Sequence, residues 1–293
     1  KHQIDYQYIN NKYIQNIKTF THQNLYRKLF LTFALNSLVT LKMAFGPPKR
    51  RLLIFDFDET LTSMDSTCLL RDLLPVYRRP KEINELKGGR IAYLNTLFTE
   101  LRAAGYSSTE LRRLIAGIPP VPSIVDFIKH LYESCDPKYD IIIISDCSSI
   151  FINDWLANHQ LTECIKEIFT NPSFVVSSDG MRVEAMQRAK CPLSPPNLCK
   201  RSILERYLTK RQAMGVTYDR VIFVADGAHD YCPTLVMRRD DIVCARKGKD
   251  LEKKIRCYRR KCKVRPLVLL WSTGHGLLTL LESALDCVTI SSI

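Results

Sequence analysis

Two carboxylates one residue apart, Asp56 and Asp58 in Leu52-Leu-Ile-Phe-Asp56-Phe-Asp58-Glu-Thr60, have the types and spacing to do chemistry. An extended backbone alternates its side chains, so both acids face one side and Phe57 the other. Like charges this close repel, and the spacing predicts a bound cation or a shared proton. Two further polar clusters follow apolar runs: Ser145-Asp146 after Ile141 to Ile144, and Asp226-Gly-Ala-His-Asp230 after Val221 to Ala225. Lys200 stands where an irregular Pro-rich loop gives way to the helical stretch Arg201 to Lys210. Singly, these are a solvated turn, a strand-end cap and a surface cation. Their shared placement at the ends of apolar elements makes them candidates for one site.

The elements that must position them follow from hydrophobic pattern. Leu52 to Phe55, Ile141 to Ile144 and Val221 to Ala225 run without a polar break and read as strands buried on both faces. Asp241 to Ala245 and the unit Ile165 to Pro172 extend the set, with helical stretches at Ser123 to Leu131, Ile150 to Leu156 and Arg201 to Lys210 between them. Buried strands alternating with helices predict an α/β fold, a Rossmann-like parallel sheet whose ligands bind outside the carboxyl ends of the strands. A hairpin with its turn at Ser178-Asp179-Gly180 and a last apolar piece, Pro266 to Leu285, complete the body. Residues 63–122 repeat apolar positions at three- and four-residue steps, with breaks at Gly88-Gly89 and Gly105 and a capping box at Ser107 to Glu110. They form a small helical cap inserted after the first strand, leaving 43–62 and 123–293 as the core. Residues 1–42 read as an N-terminal extension outside the functional protein, with Met43 as its start. The run Leu29 to Leu41 is a signal-like or weak anchor segment, too short and interrupted for a stable membrane span.

The 293 residues are 46% hydrophobic and 25% charged, which excludes a disordered chain. The net charge of +13 gathers in Lys42 to Arg51 and Arg256 to Arg265. Such clusters are commonly solvated faces; no nucleic-acid partner is expected, and a positive field suits a small phosphorylated metabolite. Eleven cysteines without a repeating spacing read as reduced thiols of a cytoplasmic protein. Neither Cys191 with Cys199 nor Cys257 with Cys262 has the second pair that a zinc signature needs.

At this point the chain resembles the haloacid dehalogenase-like phosphatase superfamily. Its four motifs correspond to Asp56-Phe-Asp58-Glu-Thr60, Ser145, Lys200 and Asp226-Gly-Ala-His-Asp230. Phe169-Thr-Asn-Pro172, Cys191-Pro, Asn197-Leu-Cys-Lys200 and Asp230-Tyr-Cys-Pro233 are similar to the group containing the phosphoethanolamine/phosphocholine and pyridoxal-phosphate phosphatases, over about Arg51 to Leu285. The resemblance implies hydrolysis of phosphomonoesters through an aspartyl-phosphate. Asp56 would be the nucleophile, Asp58 the general acid and base with Thr60 orienting it, Ser145 a hydrogen-bond donor to the phosphoryl group, and Lys200 its counter-charge, held by Asp230. Mg²⁺ would lie on Asp56, Asp226 and the backbone carbonyl of Asp58. Other phosphotransfer enzymes of the fold, such as a phosphoserine phosphatase, and a basic binding protein on an inactive scaffold are the alternatives.

The chain departs from the group's pattern at several places, among them the extra residues Ser194-Pro195-Pro196 and the stretch Glu184 to Arg188, which replaces a His-rich one. Ala225 replaces a Gly, and His229, a side chain that can titrate near neutral pH, replaces an Asn. Ser63 and Thr67 stand where acids are usual. In the group the acid at Thr67 and the one kept as Asp146 are associated with a cationic head group, so the substrate-facing set is Asp146, Ser66 and Thr67, with one carboxylate missing.

Overall fold

The first strand, β1 (Arg50–Phe55), has no exposed surface from Leu52 to Phe55, as its unbroken apolar run requires. The computed structural model describes residues 50–83, 86, 88–135, 137–176, 179–259 and 264–290. The extension 1–42, the run Leu29 to Leu41 and Met43 lie outside them, as do Ser178 of the expected turn and residues 260–263 of the basic cluster.

After β1 come the helices α1 (Ser66–Asp72), α2 (Gly89–Ala103), α3 (Ser108–Ala116) and α4 (Ile124–Glu133). Strand β2 (Lys138–Ser148), helix α5 (Ser149–Asn158), strand β3 (Glu167–Asn171) and the hairpin β4 (Ser173–Val176) with β5 (Gly180–Val183) follow. The chain then forms α6 (Lys200–Ala213), β6 (Arg220–Ala225), the short α7 (Tyr231–Thr234), β7 (Ile242–Arg246), α8 (Asp250–Arg259), β8 (Leu267–Trp271) and α9 (Gly274–Ile290).

Six strands make one parallel sheet in the order β3-β2-β1-β6-β7-β8. Connections run from β1 outward through β2 to β3 on one side, and from β6 through β7 to β8 on the other. The reversal between β1 and β6 leaves a crevice at their carboxyl ends, where open α/β sheets take ligands. Period 2 divides the strand side chains between two buried layers. Leu53, Phe55, Ile141, Ile143, Ile222 and Val224 join the first, while Leu52, Ile54, Ile142, Ile144, Val221 and Phe223 join the second with Ile203, Leu204 and Tyr207 of α6.

The first layer also holds Leu70, Leu97, Phe98, Leu111 and Ile115 of α1 to α3, so the inserted helices share a core with the sheet. Trp155 of α5 fixes that junction. Its indole N–H donates to the carbonyl of Ile118 at 2.9 Å and its ring meets Phe57 edge-on at 5.5 Å. The Ser107 capping box forms as its spacing predicts, closed from both sides by Glu110. The tail differs in detail from the sequence reading. Pro266 to Leu285 resolves into a sheet strand and a helix, which an unbroken apolar run cannot distinguish.

A buried charge cluster locks the amino ends of the strands. Asp140, 4% exposed, accepts hydrogen bonds from Tyr218 at 2.7 Å, Arg50 and Arg211 at 3.2 Å each, and pairs with Lys166 at 2.8 Å. Burial alone would push its carboxyl up. The hydrogen bonds of Lys166 and Tyr218 and the charges of Lys166 and Arg50 outweigh it and hold the carboxyl below its usual 3.8. A depressed carboxyl contributes stability above its unfolded pKa and loses it as pH falls through the folded value. Asp140→Asn should therefore cost about 3 kcal/mol at pH 7. In urea melts the gap from wild type should close below pH 3.8; an equal gap at pH 7 and pH 2.5 would refute the assignment.

Candidate active site

Beyond Phe55 the backbone of β1 holds its place for one more residue, because the Asp56 N–H donates to the Val224 carbonyl of β6 at 3.0 Å. The chain then turns sharply: the amides of Thr60, Leu61 and Thr62 all point back at the Phe57 carbonyl. That turn returns Asp58 towards the crevice. One Asp58 oxygen accepts the Ser66 N–H at 2.8 Å at the start of α1, and the other, Oδ2, is buried without a hydrogen bond. Burial, then the nearby Asp65 carboxylate, push the Asp58 carboxyl up to about 8.

Lys200 is the first residue of α6, a position where a cation opposes the helix dipole. Two acids compensate. Its ammonium, 4% exposed as a residue, lies 2.8 Å from Asp56 Oδ2 and 2.5 Å from Asp230 Oδ1. Asp230 is fixed in turn by the Gly227 N–H, which donates to its Oδ2 at 2.8 Å. Asp226, directly after β6, completes the cluster: oxygens of Asp56, Asp226 and Asp230 lie within 4.8 Å of one another. Burial, then the Asp56 and Asp230 charges, push Asp226 up to about 8, while burial pushes Asp230 to about 7 against the pull of Lys200. The cluster holds more carboxyl groups than its lysine can pair.

These groups face a cavity of about 240 Å³ that Asp65, Arg90, Asp146, His229 and the Ser194-Pro195 loop also line. Arg90 lies opposite the acids. Gly88 (φ 110°) and Gly89 (φ 59°) take positive φ values that side chains disfavour, and they start α2 so that Arg90 reaches back over the crevice. Its guanidinium pairs with Asp146 at 3.2 Å and donates to the Thr67 hydroxyl at 3.2 Å. Asp146 is further fixed through its carbonyl, which accepts from Asn171 at 2.7 Å.

A model of the Putative Phosphatase family matches residues 51–285, nearly the whole described body with its acids and lysine. The chain belongs to that family. It is a phosphatase of the haloacid dehalogenase-like kind. Similar relatives include the pyridoxal phosphate phosphatase PHOSPHO2 of Homo sapiens, 30% identical, with 79% of this chain and 97% of the relative covered. Another is the phosphoethanolamine/phosphocholine phosphatase of Gallus gallus, 29% identical, with 70% of this chain and 77% of the relative covered. A phosphoserine phosphohydrolase-like protein from Francisella tularensis subsp. tularensis SCHU S4 aligns in structure at 17% identity and a TM-score of 0.47, over 78% of this chain and 99% of that one.

In this phosphatase, Asp56, Asp58, Lys200, Asp226 and Asp230 meet at the cavity, as their sequence positions predict. Asp146 lines it as well. Ser145 lies just beneath, 1% exposed; its Oγ accepts from the Cys147 N–H at 3.3 Å, which leaves its own proton for another acceptor. Thr60 corrects one expectation. Its hydroxyl donates to Asp226 at 3.2 Å and not to Asp58, because the turn after Phe57 folds it under the β6 end. Ser66 and Thr67 are not among the residues that line this cavity, but each supports one that does. The Ser66 backbone holds Asp58 while its hydroxyl pairs with the Cys147 thiol at 3.4 Å, and Thr67 supports Arg90. His229 stands exposed at the rim, and the Ala225 methyl is fully buried in the second core layer. Arg90, Asp65 and Asp250 are charged cavity residues that the motifs did not mark; for Arg90 the glycine pair before it was the available signal.

Proposed function

We propose that this phosphatase hydrolyses small phosphomonoesters, with Mg²⁺, through an aspartyl-phosphate on Asp56. The carrying observation is the Asp56 carboxylate, held by Lys200 at the cavity floor beside two more acids. Hard oxygen donors in excess of nearby positive charge suit a small divalent cation; burial first, then the Asp56 and Asp230 charges, raise the Asp226 carboxyl, and a cation there would offset both. Asp56, Asp226 and the Asp58 carbonyl would hold Mg²⁺, which when bound neutralises charge on the phosphoryl oxygens.

The chain's own groups account for the rest. An Asp56 oxygen attacks phosphorus as the ester P–O bond breaks, and the departing alkoxide takes the proton from Asp58 Oδ2. Asp58 then removes a proton from the water that attacks the aspartyl-phosphate, releasing inorganic phosphate and restoring the Asp56 carboxylate. Lys200 offsets charge building on the transferred group, Asp230 keeps Lys200 in place, and Ser145 offers its proton to a phosphoryl oxygen. Residues 63–122 act as a cap that excludes water in the first step and brings Arg90 to the substrate.

Arg90 narrows the substrate. A quaternary or primary ammonium needs carboxylate free of a cation, yet Asp146 is paired with Arg90, Thr67 carries no charge, and Asp65, a cavity acid with no ion pair among the described residues, lies beside the Arg90 charge. Pyridoxal phosphate, whose organic part carries no ammonium group, fits this pocket better than phosphocholine or phosphoethanolamine. Assays of these three esters and phosphoserine, with and without Mg²⁺, test the reading. Turnover should require Mg²⁺ and kcat/KM should be highest for pyridoxal phosphate; phosphocholine leading the series would refute the substrate reading, and metal-independent turnover the Mg²⁺ reading. Arg90→Gln frees Asp146 and should move the phosphocholine to pyridoxal phosphate ratio of kcat/KM upward by about tenfold, roughly 1.4 kcal/mol. An unchanged ratio would show that Arg90 does not set selectivity.

A further inference from the structure

The fold brings two cysteines of one loop together with a third that is distant in sequence. Cys191 opens the Pro-rich loop, Cys199 precedes Lys200, and Cys232 follows Asp230 by two residues. The Cys191 and Cys232 sulfurs are 3.4 Å apart, those of Cys199 and Cys232 4.0 Å, and all three lie within 4.8 Å of one another. A disulfide needs about 2.05 Å between its sulfurs. Zinc–thiolate bonds of about 2.3 Å place tetrahedral sulfurs about 3.8 Å apart, inside the spread seen here.

Packing alone is a weaker account of the cluster. The buried Cys147 and Cys244 sit at other places in the core, whereas these three sulfurs converge on one point from the two ends of one loop and from the segment after Asp230. Beside them the Ser194 hydroxyl is buried without a hydrogen bond of good geometry, next to Cys191 and Cys232. Cys199 and Cys232 are buried and Cys191 is half-exposed, so the group has both a shielded side and an entrance.

We propose that Cys191, Cys199 and Cys232 form a site for a thiophilic d¹⁰ cation of the Zn²⁺ class, with the Ser194 hydroxyl or a water as fourth donor. The site is separate in donor type from the carboxylate cluster, since soft sulfur and hard oxygen select different ions. Each thiol binds as thiolate and releases its proton to solvent. The bound ion ties the loop that delivers Lys200 to the segment that follows Asp230.

Cd²⁺ titrated into the reduced full chain is the test, because cadmium–thiolate bonds absorb in the ultraviolet. One equivalent should bind with that absorption in a large excess of Mg²⁺, and it should protect Cys191 from iodoacetamide, mapped by peptide mass, while the exposed Cys68 and Cys135 stay reactive. Cys191→Ser, at the half-exposed position, should lose that equivalent, and Cys135→Ser should keep it. Undiminished alkylation of Cys191 in the Cd²⁺-loaded wild type overturns the proposal without any variant. So does an equivalent that survives in Cys191→Ser, or oxidation of Cys191 to a disulfide with Cys232 in place of metal uptake.

Discussion

Asp56→Asn is expected to lower kcat by about 10⁴-fold or more, the scale on which losing a catalytic nucleophile acts. The same change should leave the fold intact. Asn is isosteric and its amide oxygen still accepts the Phe57 N–H that now bonds Asp56 Oδ1 at 2.7 Å. It removes one of the charges that push Asp226 up but also takes a carboxylate from Lys200, which Asp230 still pairs, so the thermal midpoint should stay close to that of wild type. A large drop in midpoint would mean that activity was lost through unfolding.

Lys200→Met is expected to be damaging in both respects. Its removal leaves Asp56 and Asp230, the latter 1% exposed, facing each other without a cation. Stripping one partner from a buried charge group typically destabilises by about 3–5 kcal/mol. Activity should fall by about 10³-fold through lost stabilisation of the transferring phosphoryl group. The two effects separate in the double variant Lys200→Met with Asp230→Asn. Stability should return most of the way, because the residual repulsion is gone, while activity stays low. Recovery of turnover in the double variant would show that the lysine serves only to balance charge.

The sheet and the acids at its edge were legible in the sequence because both rest on local pattern. Leu52 to Phe55 and Val221 to Ala225 are unbroken apolar runs, and each ends on the carboxylates found at the cavity. Lys200 was legible as well, from a Pro-rich loop meeting a helical period. What stayed hidden depends on contacts between distant segments. Arg90 looks like any basic residue early in an amphipathic helix until the strand ends bring Asp146 to it from 56 positions away. Thr60 lies two residues from Asp58, yet the turn after Phe57 sends its hydroxyl to Asp226, which is 166 positions distant. The cysteine triad is hidden for the same reason, since Cys232 belongs to no spacing rule that includes Cys191 and Cys199.

The central claim is that phosphate passes through a covalent bond to one carboxylate. An acyl phosphate is reduced by borohydride to the alcohol, so an aspartyl-phosphate becomes homoserine. Wild-type protein with Mg²⁺ and a turned-over phosphomonoester, quenched in acid within a turnover and then reduced, should yield homoserine at position 56 in the peptide mass spectrum. Homoserine at Asp58 or Asp226, or intact Asp56 from protein quenched during active turnover, would contradict it.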